Sequence, residues 1–407
     1  MRSVKTDFIV GILAPLWLPV PPPAYGGIED VILSLVLGLR RLGVKVVLFS
    51  VKETARNLTI RQLGIKVGYC LEKVQFDEIG DPERKAELEI IHATEGWQWL
   101  AKQHADVVLD HTGSFVSLGV AASSEIALVS SIGRQGIPII FTLHGAILDS
   151  EVSFFRERIR DLPGLNFVSI SDSQGGDFDS RGTDLARRRI GTIHNGIRVG
   201  EFPFSARKRT PGYLLSIGRI TPDKGQLGAI QVARELGKIL VIAGSPGPTI
   251  EGAEYWNILR GMIDVDLTIY DDRWAQLQKV KKMLYTHNGG VIYVGPVNFK
   301  EKCLLYRDAS CFLMPILWPE PFGLVMAEAL ACGTPVVAFG NGAASEVVID
   351  GETGFVIKRG DIAGMVAAVR NIGQISRRAC RQRVEDYFSH GVMAEKYLEA
   401  CQAVLAR

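Results

Sequence analysis

Ten short apolar runs rich in valine and isoleucine recur along this chain, separated by longer stretches of helical periodicity. In the first half they are 8–14, 44–50, 106–110, 138–143 and 167–170; in the second, 213–217, 238–243, 291–294, 311–315 and 335–339. Runs that are apolar on both faces read as parallel strands, which need crossover helices between them. The series occurs twice, so the expected fold is α/β, with two doubly wound, Rossmann-like domains. A chain of 407 residues is also too long for one compact core. The boundary is expected near 197–211, where glycine, proline and basic residues separate the two series, giving domains 1–200 and 201–390. The stretch 249–288 reads as an elaborated helix–loop insertion. The tail 392–405 is amphipathic, with Met393, Tyr397, Leu398, Cys401, Val404 and Leu405 at helical spacing.

Apolar residues make up 47 % of the chain and charged residues 22 %, which excludes a disordered chain. The 46 basic side chains against 44 acidic ones give no reason to expect a nucleic-acid partner. Basic clusters at Arg187-Arg188-Arg189 and Arg207-Lys208-Arg209 read first as solvated surface, and second as a patch for peripheral contact with an anionic lipid or acceptor. The six cysteines form no metal-ligand spacing and fall largely in apolar runs, in keeping with a cytoplasmic location. Arg2 and Lys5 before an apolar run suggest a signal peptide, but Asp7 and the following prolines favour a first core strand.

The densest chemistry lies at 318–336. Residues 323–333, GLVMAEALACG, read as a buried helix closed by a glycine, yet Glu328 sits inside it. A lone buried carboxylate is costly without partners. Glu328 therefore either pairs with a core base such as arginine or binds a ligand. A second carboxylate, Glu320, precedes the helix in an extended Trp-Pro-Glu-Pro loop.

At 216–225, SIGRITPDKG, Thr221 followed by Pro222 reads as an N-cap with proline at the first helical position, which puts Lys224 in the first turn. Arg219 and Lys224 then stand at the carboxyl end of a parallel strand, where α/β sheets bind ligands. They are either surface bases or a diphosphate clamp. Gly26-Gly27 opens the helix that follows the first strand. It is either a flexible turn or a place where backbone N–H groups approach a phosphate. No dinucleotide fingerprint or P-loop is present. His144 follows one strand, while Asp110 and His111 end the strand before it. Asp264-Val265-Asp266 spells a D-x-D pattern that can coordinate a metal, but reads here as a chance match on a charged loop, so no metal or cofactor is expected.

The spacing from Glu320 to Glu328, with Phe322-Gly323 between and CGTPVV after, resembles the E-x7-E signature of retaining GT-B glycosyltransferases, family 4 (group 1). The resemblance implies two Rossmann-like domains facing across a cleft, with a last helix, 391–407, returning to the first domain. It implies that Glu320 meets the donor sugar and Glu328 the ribose of a UDP-, GDP- or ADP-sugar. Arg219, Lys224, the Gly26-Gly27 loop and the backbone at Phe322, Gly323 and Leu324 would hold the diphosphate. His144 would line the donor-sugar site, with Asp110, His111 and Asn195 as candidates for sugar or acceptor contacts. The acceptor would be a saccharide, a lipid-linked molecule or a small molecule. Two other readings stay open, a sugar-nucleotide epimerase of the same architecture and a non-catalytic binding descendant.

Overall fold

The computed structural model describes residues 8–23, 26–72, 82–123, 136–207, 212–247, 249–285 and 289–407. It divides into two compact units, 1–197 with 389–407 and 198–388. The chain thus leaves the first unit at Ile197 and re-enters it at Ser389.

The first unit is built on seven strands, β1 (Ile9–Leu13), β2 (Lys45–Ser50), β3 (Lys66–Tyr69), β4 (Val107–Asp110), β5 (Ile139–Leu143), β6 (Leu165–Ser169) and β7 (Arg189–Thr192). Their order is β3-β2-β1-β4-β5-β6-β7, with every pair parallel. Val10 of β1 lies between Val46 of β2 and Val107 of β4. Alternate residues of the central strands point to opposite faces, and both faces are covered, which is why β4 and β5 are buried throughout. Phe141, Phe115 and Phe167 meet edge-on or tilted beneath the sheet, with ring centroids 5.2–5.9 Å apart.

The second unit repeats the design with β8 (Tyr213–Ile217), β9 (Ile239–Ala243), β10 (Val265–Asp266), β11 (Gly290–Tyr293), β12 (Ala309–Met314), β13 (Val336–Phe339) and β14 (Gly354–Ile357). The order is β10-β11-β9-β8-β12-β13-β14, again parallel throughout. The stretch 249–288 is therefore more than an insertion. It carries the helices Ile250–Arg260 and Arg273–Tyr285 and the edge strand β10 between them. The buried Arg377 gathers the carbonyls of Ser205, Arg307 and Ala309 and the hydroxyl of Thr334, closing several chain ends around one guanidinium.

The last helix, His390–Leu405, belongs to the first unit. It presses on the helix Gly27–Arg41 so closely that a Cβ at Gly38 would come within 2.5 Å of Ala394 Cβ. Tyr397 is buried there, and its hydroxyl meets Thr142 Oγ1 of β5 at 2.8 Å. Among the described residues no helix is long and apolar enough to cross a membrane. All six cysteines are free, five of them buried. The residues Arg2, Lys5 and Asp7 lie outside the described ones, as do Lys208 and Arg209.

Arg188 and Arg189 correct the expectation of a solvated basic cluster. Arg188 donates to the carbonyls of Arg160, Leu162 and Leu165, and Arg189 is paired with Asp179. Of that run only Arg187 is exposed.

Candidate active site

In a doubly wound sheet, two loops part to opposite faces where the strand order reverses, and the gap beyond the strands' carboxyl ends takes a ligand. In the second unit this point lies between β8 and β12. The two loops there are 218–225 and 315–323, and they are stitched together by backbone, with Leu317 N donating to Asp223 O at 2.8 Å.

The stitch brings two expected residues into contact. Lys224 Nζ donates to Glu320 Oε2 at 2.8 Å, with side chains 23 % and 13 % exposed. Trp318 Nε1 donates to the same oxygen at 3.0 Å, and the ammonium stands 4.8 Å from the Trp318 ring centroid. Arg219 is exposed, and its guanidinium has no partner among the described residues. The Lys224 ammonium and the Trp318 indole N–H thus share one oxygen of Glu320.

The local geometry differs from the sequence expectation in one respect. Pro222–Lys224 is a separate 3-10 turn, and Thr221 precedes it without a capping side-chain hydrogen bond. The helix begins only at Gln226, after Gly225 at φ +71°. A side chain at Gly225 would also collide with the Pro315 carbonyl, 1.9 Å from the Cβ position, so glycine lets the two loops close. Lys224 therefore precedes the helix and sits outside its first turn.

Glu328 lies in the helix Leu324–Ala331, which starts at Gly323 beside the buried Phe322. Its residue is 7 % exposed, and both oxygens are engaged. Lys302 Nζ donates to Oε1 at 2.6 Å and Tyr306 OH to Oε2 at 3.1 Å. The core base is thus a lysine, not an arginine, supported by a phenol. Burial and the adjacent carboxylate hold the Tyr306 hydroxyl well above its ordinary range, so it remains a donor. Lys302 and Tyr306 come one turn apart from the helix Phe299–Asp308.

In the first unit the reversal lies between β1 and β4. The Gly26-Gly27 loop follows β1, and the helix starts at Gly27 with Gly26 in extended conformation. Gly26 is packed, since a Cβ there would meet Pro22, Leu18 and Glu29 within 2.9 Å. Burial raises the Glu29 carboxyl to about 7, so this helix start does not carry its full negative charge at neutral pH.

After β4 and β5 come two histidines. His111 Nδ1 lies 2.9 Å from His144 Nε2, with the Tyr397 ring 5.6 Å from His111. His111 is fully buried and its Nε2 finds no partner among the described residues; His144 is half-buried. Burial pushes His144 down to about 3, and burial plus the neighbouring imidazole push His111 well below its usual range. Both are neutral hydrogen-bonding groups at neutral pH. Asp110 turns inward, accepting from Thr112 N, Thr112 Oγ1 and Ser117 Oγ, and burial raises it to about 6. Its oxygens hold the loop in shape. Asn195 is buried, next to Gly196, whose N–H points at Met393 Sδ, 3.0 Å away.

Trp318, Lys302 and Tyr306 were not among the residues the sequence singled out. Trp318 stands two residues from Glu320, and only the flanking prolines drew notice there. Lys302 and Tyr306 show the one-turn spacing of a shared helix face, but nothing in the sequence assigns that face to a carboxylate 22 residues or more away.

Two parallel Rossmann-like sheets, each with charged or imidazole side chains at its reversal point, make up a two-domain fold of GT-B architecture. Residues 200–385 match the profile of glycosyl transferases group 1, and residues 25–201 that of glycosyltransferase family 4. A phosphatidyl-myo-inositol mannosyltransferase of Mycobacterium leprae is 35 % identical over 378 residues, covering 89 % of this chain and 87 % of that one. A glycogen synthase of Mycobacterium tuberculosis is 33 % identical over 213 residues, so the match spans about half of each chain, 50 % of this one and 46 % of that one. The Anabaena protein Alr3699/HepE, solved with UDP-glucose, superposes with a TM-score of 0.64 at 17 % identity, over 98 % of this chain and 100 % of that one. The chain belongs to the group 1 glycosyltransferases.

Proposed function

We propose that this protein transfers a sugar from a nucleoside diphosphate sugar to an acceptor hydroxyl with retention of anomeric configuration. The observation that carries the reading is the Lys224–Glu320 contact at the reversal point of the second sheet, with Arg219 exposed on the same loop as Lys224. In the reaction the bond from the anomeric carbon to the diphosphate breaks, a bond to the acceptor oxygen forms, and the acceptor loses its proton. Negative charge then gathers on the leaving diphosphate. Lys224 and Arg219, with the N–H groups opening the helix Leu324–Ala331, are the donors that meet that charge. Glu320 holds sugar hydroxyls through its second oxygen. Glu328 holds the ribose while it stays anchored on Lys302 and Tyr306.

His144 contributes a neutral imidazole toward the donor sugar from the first unit, backed by His111. The donor is a UDP-, GDP- or ADP-sugar; the solved UDP-glucose complex of the structural neighbour supports this class. The acceptor is a saccharide, a lipid-linked molecule or a small molecule; the names of the two mycobacterial relatives, a glycogen synthase and a phosphatidyl-myo-inositol mannosyltransferase, support the first two. Catalysis needs no divalent ion. Supporting this, Asp264 Oδ2 accepts from Val291 N at 2.7 Å and Asp266 Oδ1 accepts from Thr268, so both carboxylates serve the edge of the sheet.

The test is a panel of UDP-, GDP- and ADP-sugars assayed for release of the nucleotide, with and without candidate acceptors. Transfer product with the donor's anomeric configuration, read by proton NMR, supports the proposal. Release of an epimerised free sugar as the sole product would instead mark an epimerase. Absence of turnover with measurable nucleotide binding would mark a binding protein.

A further inference from the structure

We propose that Trp318 is a positioning residue for sugar transfer, keeping Glu320 in place when Lys224 moves to the diphosphate. The inference rests on the proposed function.

Glu320 is held at two levels. Its backbone is pinned, with its carbonyl accepting from Ala343 N at 2.9 Å and a parallel bridge to Gly342. Its side chain is held only through Oε2, by Lys224 at 2.8 Å and Trp318 Nε1 at 3.0 Å; Oε1 has no partner among the described residues. A nucleoside diphosphate carries more negative charge than a carboxylate and offers several oxygens to an ammonium. When it arrives, Lys224 is drawn off and Oε2 loses a charge-assisted bond. The indole N–H is then the remaining side-chain anchor. It does not ionise, and it sits on a side chain with two rotatable bonds, directly before Pro319 in the sequence.

The ring has a second task. With the ammonium 4.8 Å from its centroid, it offers Lys224 an attractive surface besides Glu320. The indole thus serves the carboxylate through its N–H and the lysine through its π face, and the two tasks can be separated by substitution.

Trp318→Phe keeps a ring and removes the N–H. Trp318→Gln keeps an N–H and removes the ring. The phenylalanine variant is expected to lose about tenfold in kcat and to discriminate less between epimeric donor sugars, as for one hydrogen bond to a charged group. Its affinity for free nucleoside diphosphate should stay within about twofold of wild type. The glutamine variant is expected to regain most of the kcat while binding the diphosphate about two- to fivefold more weakly, the scale of an exposed cation–π contact. A purely structural role would depress kcat and nucleotide affinity together in both. Measurements are kcat, KM for donor and calorimetric affinity for UDP, GDP and ADP, with Glu320→Gln in parallel. Unchanged kcat and donor discrimination in Trp318→Phe, with Glu320→Gln strongly impaired, would overturn the role of Trp318 and leave the site reading standing. Full activity of Glu320→Gln would instead sink the reading on which it rests.

Discussion

The anchoring of Glu328 can be dissected by a double-mutant cycle, Glu328→Gln, Lys302→Met and the two combined. The pair is close, 2.6 Å, and its members differ in access to water, 9 % exposed for the Glu328 side chain and 19 % for Lys302. Glu328→Gln leaves an amide that still meets Tyr306, and it strands an ammonium on a long stem that can swing toward solvent. The expected loss of stability is about 1.5–3 kcal/mol. Lys302→Met strands a carboxylate in an apolar helix with only a phenol for company, and breaking a buried pair in that way costs about 3–5 kcal/mol. The lysine variant is therefore the less stable of the two. Together the changes leave two neutral side chains, so the double variant should be about 1.5–3 kcal/mol better than additive. Urea unfolding of all four proteins gives the energies, and calorimetry with nucleoside diphosphates gives the function. Affinity should fall in Glu328→Gln and in the double variant by about ten- to a hundredfold. Additivity within about 0.5 kcal/mol would refute the coupling. Normal nucleotide affinity in a folded Glu328→Gln protein would refute the ribose role and leave Glu328 a structural ion.

Lys224→Ala should lower turnover about a hundredfold, the loss of one major donor to the leaving group, and weaken nucleoside diphosphate binding; unchanged calorimetric affinity would reject the clamp. Activity should survive EDTA and the Asp264→Asn/Asp266→Asn double change, and rescue of EDTA-treated enzyme by manganese would contradict this. His92 is buried with its Nε2 2.9 Å from the Ala14 carbonyl, and burial lowers it to about 4. Because the unfolded chain takes up this proton near 6.5, the stability that neutral His92 confers is complete above that pH and is lost as pH falls toward 4. His92→Gln should therefore lose less stability than wild type between pH 6.5 and 4.5, by about 1.4 kcal/mol per pH unit, and parallel pH–stability curves would exclude the effect.

All ten strands expected from valine- and isoleucine-rich runs are present, and the four additional ones, β3, β7, β10 and β14, are the outermost strands of the two sheets. An edge strand buries less of itself, so KVGY, RIGT and VD carry charged, small or polar residues that dilute the apolar signal. GFVI is apolar but only partly buried, in keeping with its place at the edge of the sheet. The helix around Glu328 was legible because its apolar residues and closing glycine agree with its location. The Lys224 turn was misjudged because proline after threonine starts a 3-10 turn as readily as a helix, and only the left-handed Gly225 separates the two. At the site, residue types at strand ends could be read, since a strand's carboxyl end fixes where the next residues emerge. Partners such as Trp318, Lys302 and Tyr306 could not, because contacts between loops or helices depend on how the layers pack. Asp110 illustrates the converse. Its position at a strand tip suggests a ligand contact, while its hydrogen bonds to Thr112 of the next loop and Ser117 of the following helix depend on packing that the sequence does not spell out.

The return of the helix His390–Leu405 sets the order in which the protein can be completed during synthesis. Tyr397, which packs on His111 and bonds Thr142, is made only after the whole of the second unit has been synthesised. Until then the helix Gly27–Arg41 has its Gly38 face bare, and the histidine pair lacks the ring that flanks it. The earliest-made strands of the first unit thus wait for the last-made helix. A chain released before residue 390 would hold the whole sequence of the second unit together with a first unit whose histidine pair lacks the Tyr397 ring.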